Sequence, residues 1–253
     1  MKNAIFISVR SNSTRLPNKA TLDLCGKPTI QYLIENLKKS KHAQKIILCT
    51  STQSQDEILC QIAKKMDLFV KMDIDFFRGS LEDKLQRWLG ACKKYNIDFF
   101  VNADGDDLFF DHGLADHIFE QHRESPCDFI DGRGLYNDVY GISTPALKRV
   151  CEIKATDETE FIRPYFTDTG LFNVTSVENL PTKYIKNNSR MTLDYKEDFM
   201  FFEKIIKLLA QESITFDNVL ALLSNNPDIN KINFHLEEKW RQNQKKINKM
   251  VIK

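Results

Sequence analysis

The sequence lacks the short motifs that would assign a function directly. It has no G-x-G-x-x-G or Walker A glycine pattern, no G-x-S-x-G nucleophile motif and no C-x-x-C pair. These absences argue against the usual dinucleotide-binding and P-loop sites, a serine hydrolase, and a metal or redox site built on paired cysteines. The five histidines show no ligand spacing shared with cysteine or acidic residues. Any site must therefore be found from less familiar clusters.

The chain also has almost no net charge and no long apolar run. The 36 basic and 35 acidic residues leave a formal net charge of +1, so the whole molecule has no pull towards nucleic acid or an anionic membrane. No apolar stretch approaches the ~18 residues of a membrane-spanning helix, and the start does not resemble a signal peptide. The six scattered cysteines are expected to be reduced thiols. We expect a cytoplasmic protein.

What is present is an alternation of short apolar strands and amphipathic helices. Such an alternation predicts right-handed βαβ units, and hence an α/β fold with a Rossmann-like, mostly parallel sheet flanked by helices. The predicted strands are Ala4–Val9, Lys45–Thr50, Leu68–Lys71, Asp98–Val101 and Met191–Leu193. The predicted helices are Thr29–Lys38, Glu57–Met66 and Leu81–Tyr95, with a further charged helical segment from Phe234 onwards.

A cationic loop follows the first predicted strand. The stretch RSNSTRLPNK carries Arg10, Arg15 and Lys19, with only small hydroxyl and amide residues between the first two. Ligands of parallel α/β sheets bind beyond the carboxyl ends of the strands, which is where this loop falls. Arginine forks and small residues suit a polyanion with many oxygens, whereas the alternative is a solvated loop paired with neighbouring acids. Phosphate binding is the favoured interpretation.

Acidic residues follow two other predicted strands. NADGDD places Asp104, Asp106 and Asp107 in one tight turn, and Asp194 ends the predicted strand 191–193. Oxygen ligands without nearby histidine or cysteine suit Mg²⁺, which usually takes one or two carboxylates plus substrate phosphates. The alternative is that these aspartates only cap turns. Asp104 is expected to help hold Mg²⁺ or one of its waters, or else to be neutralised by a lysine.

Several segments together resemble a known family. RSNSTRLPNKATLDLCGKP matches the pattern R-x-x-S-T-R-L-P-x-K followed by G-K-P of cytidylyltransferases that activate acidic sugars. FRGSLEDKLQRW, VNADGDDLFFD, ETEFIRPYF and RMTLDYKEDF resemble later segments of the same family, in the same order. The chain is most similar to its spore-coat polysaccharide F-like branch, whose relatives include the 3-deoxy-manno-octulosonate and sialic acid cytidylyltransferases. The likeness extends to about residue 233.

The resemblance implies a fold of the nucleotide-diphospho-sugar transferase type and a set of site residues. Catalysis would fall to Arg10, Arg15, Lys19 and Asp106, and Mg²⁺ to Asp106 and Asp194. Candidates for the sugar side are Arg163, Tyr165 and Arg190. The nucleotide would contact Ser8, Val9, Arg10, Ser13, Thr14, Arg15, Lys19, Arg78, Ser80, Asp83 and Asp104.

The resemblance also implies a reaction and an organisation. CTP, or another nucleoside triphosphate, would donate CMP to an acidic sugar or sugar phosphate for surface glycan synthesis, with release of pyrophosphate. Residues 1–233 would form the nucleotidyltransferase domain of a homodimer, with an irregular sugar-side or dimerisation region at 127–172 and a charged tail at 234–253. Two alternatives stay open: a catalytically silent nucleotide-binding subunit, and a glycosyltransferase that uses a nucleotide-sugar donor.

Overall fold

The computed structural model describes residues 1–67, 72–186, 188–209, 213–246 and 250–253. Within these ranges the strands are β1 (Asn3–Ser8), β2 (Asp23–Leu24), β3 (Lys27–Pro28), β4 (Lys45–Ser51), β5 (Asp73–Gly79), β6 (Phe99–Asp104), β7 (Phe129–Gly132), β8 (Val139–Ser143) and β9 (Val174–Ser176). Seven of them form one sheet in the order β5-β4-β1-β6-β8-β7-β9, and β2 and β3 form a separate small hairpin.

The helices of the same ranges pack on both faces of the large sheet. They are α1 (Thr29–Leu37), α2 (Glu57–Asp67), α3 (Lys84–Tyr95), α4 (His112–Glu124), α5 (Thr144–Ile153), α6 (Arg163–Thr167), α7 (Lys196–Leu208), α8 (Phe216–Asn225) and α9 (Glu237–Lys246). None of the described helices is both long enough and apolar enough to cross a membrane.

The first strand shows why its sequence is apolar without interruption. Ile5 and Ile7 point into one core, with residues of α1, α2, α4, α7 and α8, whereas Ala4 and Phe6 point into the other, with residues of α3, α5 and α6. A parallel strand with both faces covered needs apolar side chains at every position, rather than at alternate ones. This arrangement confirms the predicted α/β fold with a mostly parallel sheet.

The register of the sheet brings the ends of the central strands together. Strand β1 runs parallel to both β4 and β6, and its last residue, Ser8, lies beside Cys49 and Asp104. Strand β8 pairs antiparallel with β6 and β7, which interrupts the parallel order on one side. The loop after β1 and the acidic turn after β6 therefore leave the sheet at the same edge.

Two sequence predictions differ from the structure, and a third lies outside the described residues. The predicted strand Leu68–Lys71 lies outside the described residues, and the strand beside β4 is Asp73–Gly79. The region 127–172, predicted as irregular, contains β7, β8, α5 and α6. Residues 191–193 were predicted as a strand but adopt no regular secondary structure, although Leu193 N donates to the Asp106 carbonyl at 2.9 Å. This single main-chain hydrogen bond, rather than a strand, joins residues 191–193 to the acidic turn.

Candidate active site

The loop after β1 is fixed at its start by a buried carboxylate. Asp56, which is fully buried, accepts from Ser11 N at 2.7 Å and from both the main chain and the hydroxyl of Ser51. Burial alone would raise the pKa of Asp56, but these donors lower it below its usual value. Asp56 is 45 residues from Ser11, so no local pattern in the sequence indicates its contribution to this loop.

Lys19 joins two acidic segments that are far apart in sequence. Its Nζ lies 2.6 Å from Asp106 Oδ2 and 2.7 Å from Asp194 Oδ1, and Arg15 Nη2 lies 2.7 Å from the same Asp194 oxygen. The Asp194 side chain is 2% exposed. Two cations of the loop and both carboxylates expected to hold Mg²⁺ thus form one compact cluster.

The charges of this cluster shift one another's pKa. Burial alone would raise the pKa of Asp194, but Lys19 and Arg15 together have a larger effect and lower it to about 2. Burial also disfavours the charged ammonium of Lys19, yet Asp106 and Asp194 raise its pKa above the usual value. Lys19 and Asp194 are therefore both ionised at neutral pH, and the buried carboxylate is paired with a cation.

Arg10 lies in a different part of the cavity. Its Nη2 contacts Glu160 Oε2 at 3.0 Å and its Nη1 donates to the Leu81 carbonyl at 2.6 Å. Arg87 donates to the same carbonyl at 3.2 Å and to the Ser80 carbonyl at 2.5 Å, but no carboxylate of the described chain forms an ion pair with it. Arg87 is 2% exposed, its Nε has no partner, and burial lowers its pKa. A buried guanidinium without a counter-ion favours an anionic ligand nearby.

The acidic turn is packed closely against the first strand. A Cβ on Gly105 would lie 2.7 Å from the Cβ of Val9, so a larger residue there would push the turn away from β1. Asp104 pairs with Lys84 Nζ at 2.9 Å, which matches the lysine neutralisation considered for it. Burial and the neighbouring carboxylate of Asp106 raise the pKa of Asp107 well above its usual value.

A cavity of about 930 Å³ lies above these groups. Most of the predicted residues contribute to its lining: Ser8, Val9, Arg10, Ser13, Thr14, Arg15, Lys19, Asp104, Asp106, Arg190 and Asp194. It is also lined by residues that the sequence did not indicate, namely Lys84, Arg87, Arg133, Glu160, Lys186, Trp240 and Arg241. They come from segments spread over the chain, from α3 to α9, so no single local pattern identifies them.

Five predicted site residues do not line this cavity. Arg78 pairs with Glu57, and Arg163 pairs with Asp131. The side chain of Tyr165 is buried in the core on the α3 side of the sheet. The other two, Ser80 and Asp83, form the turn before α3.

Asp83 has a structural role at the start of α3. Its Oδ1 accepts from Gln86 N at 3.0 Å and so caps α3, and its Oδ2 lies 2.6 Å from Lys154 Nζ. The hydroxyl of Thr159 donates to the same carboxylate. Ser80 Oγ in turn accepts from Asp83 N at 3.1 Å. This part of the FRGSLEDKLQRW segment therefore holds α3 in place beside the cavity.

The donor chemistry at the carboxylate pair fits Mg²⁺. No group of three or more His, Cys, Asp or Glu side chains in the described ranges is arranged to hold a metal ion. Asp106 and Asp194 offer two hard oxygen ligands, and a cation, the Lys19 ammonium, already bridges them. Magnesium sites commonly have one or two carboxylates, with the remaining ligands supplied by phosphates and water.

The fold and this site define a nucleotidyltransferase. The chain belongs to the cytidylyltransferase family, because the model of that family matches residues 4–211. An uncharacterised protein of Methanocaldococcus jannaschii is 28% identical over 94% of this chain and 97% of that protein. The spore coat polysaccharide biosynthesis protein SpsF of Bacillus subtilis is 25% identical over 90% of this chain and 97% of that protein.

Other relatives match a shorter part of the chain or the fold alone. A 3-deoxy-manno-octulosonate cytidylyltransferase of Bdellovibrio bacteriovorus is 30% identical over 50% of this chain and 48% of that protein. A solved cytidylyltransferase of Leptospira borgpetersenii superposes with a TM-score of 0.78 at 24% identity, covering 91% of this chain and 97% of that one. A CMP:2-keto-3-deoxy-manno-octonic acid synthetase complexed with CTP gives 0.61 at 16% identity, covering 83% and 99%. The nucleotide-diphospho-sugar transferase fold expected from the sequence is confirmed.

Proposed function

We propose that this chain transfers CMP from CTP to an acidic sugar in a Mg²⁺-dependent reaction that releases pyrophosphate. The proposal is carried by one observation: Arg15 and Lys19 form ion pairs with Asp106 and Asp194 at the carboxyl edge of the sheet. The names of the relatives support cytidine as the base, a sugar acid as the acceptor and a surface polysaccharide as the destination.

The residues of the cavity account for the charge changes of such a reaction. An acceptor oxygen attacks the α-phosphorus of CTP, the bond to the β-phosphate oxygen breaks, and the proton of the acceptor hydroxyl is released to solvent. Arg10, Arg15 and Lys19 would bind the triphosphate oxygens and offset the negative charge that develops on pyrophosphate. Mg²⁺ held by Asp106 and Asp194 would supply further charge neutralisation at the phosphates.

The nucleotide end of the cavity has a defined geometry for this role. Trp88 Nε1 donates to Ser8 Oγ at 2.8 Å, which fixes the last residue of β1 beneath the cavity. Arg87, whose guanidinium has no counter-ion in the described chain, lies beside Arg10 at the same end. We assign this end to the nucleotide, because uncompensated positive charge is best used where the triphosphate brings several negative charges.

A pyrophosphate-release screen tests the proposal. Purified protein is given each of four nucleoside triphosphates with 3-deoxy-manno-octulosonate, N-acetylneuraminate, sugar phosphates or glucose, with Mg²⁺ or with a chelator. Mg²⁺-dependent release with CTP and a sugar acid is expected, and Asp106→Asn should abolish it. Tight CTP binding without release would instead support the silent subunit. Sugar transfer from a nucleotide sugar without pyrophosphate would support the glycosyltransferase.

A further inference from the structure

Part of the cavity lining belongs to neither the cationic loop nor the carboxylate pair. We call it the basic wall, and it consists of Arg133, Lys186, Trp240 and Arg241. Arg133 comes from the β7–β8 connection and Lys186 from the segment between β9 and α7. Trp240 and Arg241 belong to α9. A β-bridge between Leu135 and Ile185 holds the first two segments together.

The third segment, α9, is attached to the second through one buried acid. Glu237, at the start of α9, lies 2.7 Å from Lys186 Nζ and 3.3 Å from Arg241 Nε. It also lies 3.3 Å from Arg190 Nη1, whose guanidinium has a carboxylate of its own in Asp198. The ammonium of Lys186 lies 5.8 Å from the centre of the Trp240 ring, which brings the aromatic side chain to the wall.

The basic wall carries more positive charge than its own acids neutralise. Lys186 and Arg241 share the single carboxylate of Glu237, which also serves Arg190. Arg133 is exposed, and no acid of the described ranges forms an ion pair with it. By contrast, Arg15 and Lys19 are matched by Asp106 and Asp194. The surplus charge at the wall is therefore available to an anion from solution.

We propose that the basic wall binds the anionic group, a carboxylate or a phosphate, of the acceptor sugar, with Trp240 packed against the sugar. This inference rests on the proposed function and places the acceptor in a different part of the cavity from the contacts of Arg10 and Arg87. Helix α9 lies beyond residues 4–211, the part matched by the family model. The cavity would thus combine the nucleotide-binding residues of the family with a separate element that selects the acceptor.

The wall replaces two of the three sugar-side residues expected from the sequence. Arg163 and Tyr165 do not line the cavity, and Arg190 is fully buried in its contacts with Asp198 and Glu237. The Arg190 side chain has no exposed surface for a third anion, unlike Lys19, whose side chain is 17% exposed although it also contacts two carboxylates. Arg190 is instead a positioning residue, which holds Glu237 and so the start of α9.

The two tryptophans allow binding at the wall to be measured without turnover. Trp88 is fully buried between α3 and the sheet, so Trp240 is the one beside the wall. The difference in fluorescence between the unaltered protein and Trp240→Phe reports on this site. Probes are 3-deoxy-manno-octulosonate, glucuronate, glucose 6-phosphate and uncharged glucose, each titrated in the presence of CTP and a chelator that removes Mg²⁺ and so prevents transfer. The acid and phosphate probes distinguish the two sources of negative charge.

Arg133→Ala is the decisive variant, because removing this exposed and unpaired side chain does not threaten folding. We expect saturable Trp240 fluorescence changes with at least one anionic probe, no change with glucose, and binding weakened about tenfold or more in Arg133→Ala. Arg149→Ala, an exposed arginine on α5 paired with Glu152, is the matched control and should bind normally. CTP affinity should be unchanged in both variants.

Three results would overturn the proposal: no saturable change with any anionic probe, equal binding of glucose, or unchanged binding in Arg133→Ala. These readouts do not depend on transfer. Sugar binding with the stated Arg133 dependence but no pyrophosphate release would reject the proposed reaction while supporting the wall. Pyrophosphate release whose acceptor KM is unaffected by Arg133→Ala would support the reaction and reject the wall.

Discussion

At the scale of single residues, Lys19 has the most consequential position, since its ammonium is shared by Asp106 and Asp194. We expect Lys19→Ala to cost at least ~2 kcal/mol in kcat/KM for CTP, through loss of a charge-assisted phosphate contact. Steady-state pyrophosphate release measures it. Lys27→Ala is the control, because Lys27 pairs with Glu35 and does not line the cavity. Equal kcat/KM in the two variants would remove Lys19 from the phosphate site.

The Asp104–Lys84 ion pair makes a different prediction. Asp104→Asn would leave the Lys84 ammonium, which is 8% exposed, without its carboxylate. We expect a loss of about 1–2 kcal/mol of unfolding free energy, and less than about a twofold change in the Mg²⁺ concentration for half-maximal activity. Urea titration and a Mg²⁺ titration measure the two effects. A tenfold rise in the Mg²⁺ requirement would instead make Asp104 part of the metal site.

The sequence identified cavity residues where the chemistry is local and missed them where it is not. Arg10, Arg15 and Lys19 could be found because they crowd one short loop after a strand. Glu160 and Arg87 could not be found, because their meeting with Arg10 depends on how α3 and the segment before α6 fold back onto the loop. A pattern in one segment does not reveal which distant segment supplies the partner.

At the scale of elements, Asp83 has a packing role although it lies in a segment that resembles the cytidylyltransferase family. It caps α3 and forms a buried ion pair with Lys154, whose side chain is 5% exposed. We expect Asp83→Ala to lose about 3–5 kcal/mol of stability, because it removes the cap of α3 and leaves the buried ammonium with only the exposed carboxylate of Asp157. The KM for CTP of the folded fraction should stay within about twofold, since the side chain does not line the cavity.

Thermal and urea unfolding test this prediction against a matched variant. Asp157 also pairs with Lys154, at 2.9 Å, but its side chain is 89% exposed. Asp157→Ala should therefore cost less than about 1 kcal/mol. Similar losses for the two aspartates would show that burial does not control the strength of this ion pair. A raised KM for CTP in Asp83→Ala alone would return Asp83 to the nucleotide site.

The helices and central strands could be predicted because their periodicity is local, whereas other elements could not. Strand β5, with the sequence DIDFFRG, joins the sheet through its register with β4, and nothing in its own alternation sets its limits. Residues 191–193 lie in an extended-looking sequence, but their main-chain partner is the carbonyl of Asp106. Only the folded chain shows that a single hydrogen bond joins this segment to the acidic turn.

At the scale of the whole molecule, acid should destabilise the fold. Asp56, Glu160, Asp194 and Glu237 all have a pKa below the usual value, through hydrogen bonds or neighbouring cations that outweigh burial. A lowered folded-state pKa gives stability that is present above the unfolded pKa and is lost as the pH falls through the folded one. We therefore expect the unfolding free energy to fall between about pH 4 and pH 2.

Urea unfolding at a series of pH values, without Mg²⁺, measures this loss. Asp194 alone, with its pKa lowered from 3.8 to about 2, should contribute about 2 kcal/mol to it. Asp194→Asn should accordingly show a shallower dependence on pH over the same range. An identical slope in this variant would mean that the ion pairs of Asp194 with Lys19 and Arg15 do not stabilise the folded state.

The position of α9 in the chain has a consequence for synthesis. The cationic loop and the acidic turn lie within the first 110 residues, whereas the last wall residues belong to α9, at 237–246. A ribosome makes the chain from its N-terminal end, and domains begin to fold while it is being made. On the roles proposed here, a nascent chain has its triphosphate-binding groups long before α9 is made. Discrimination among sugars would then be acquired after triphosphate binding during synthesis.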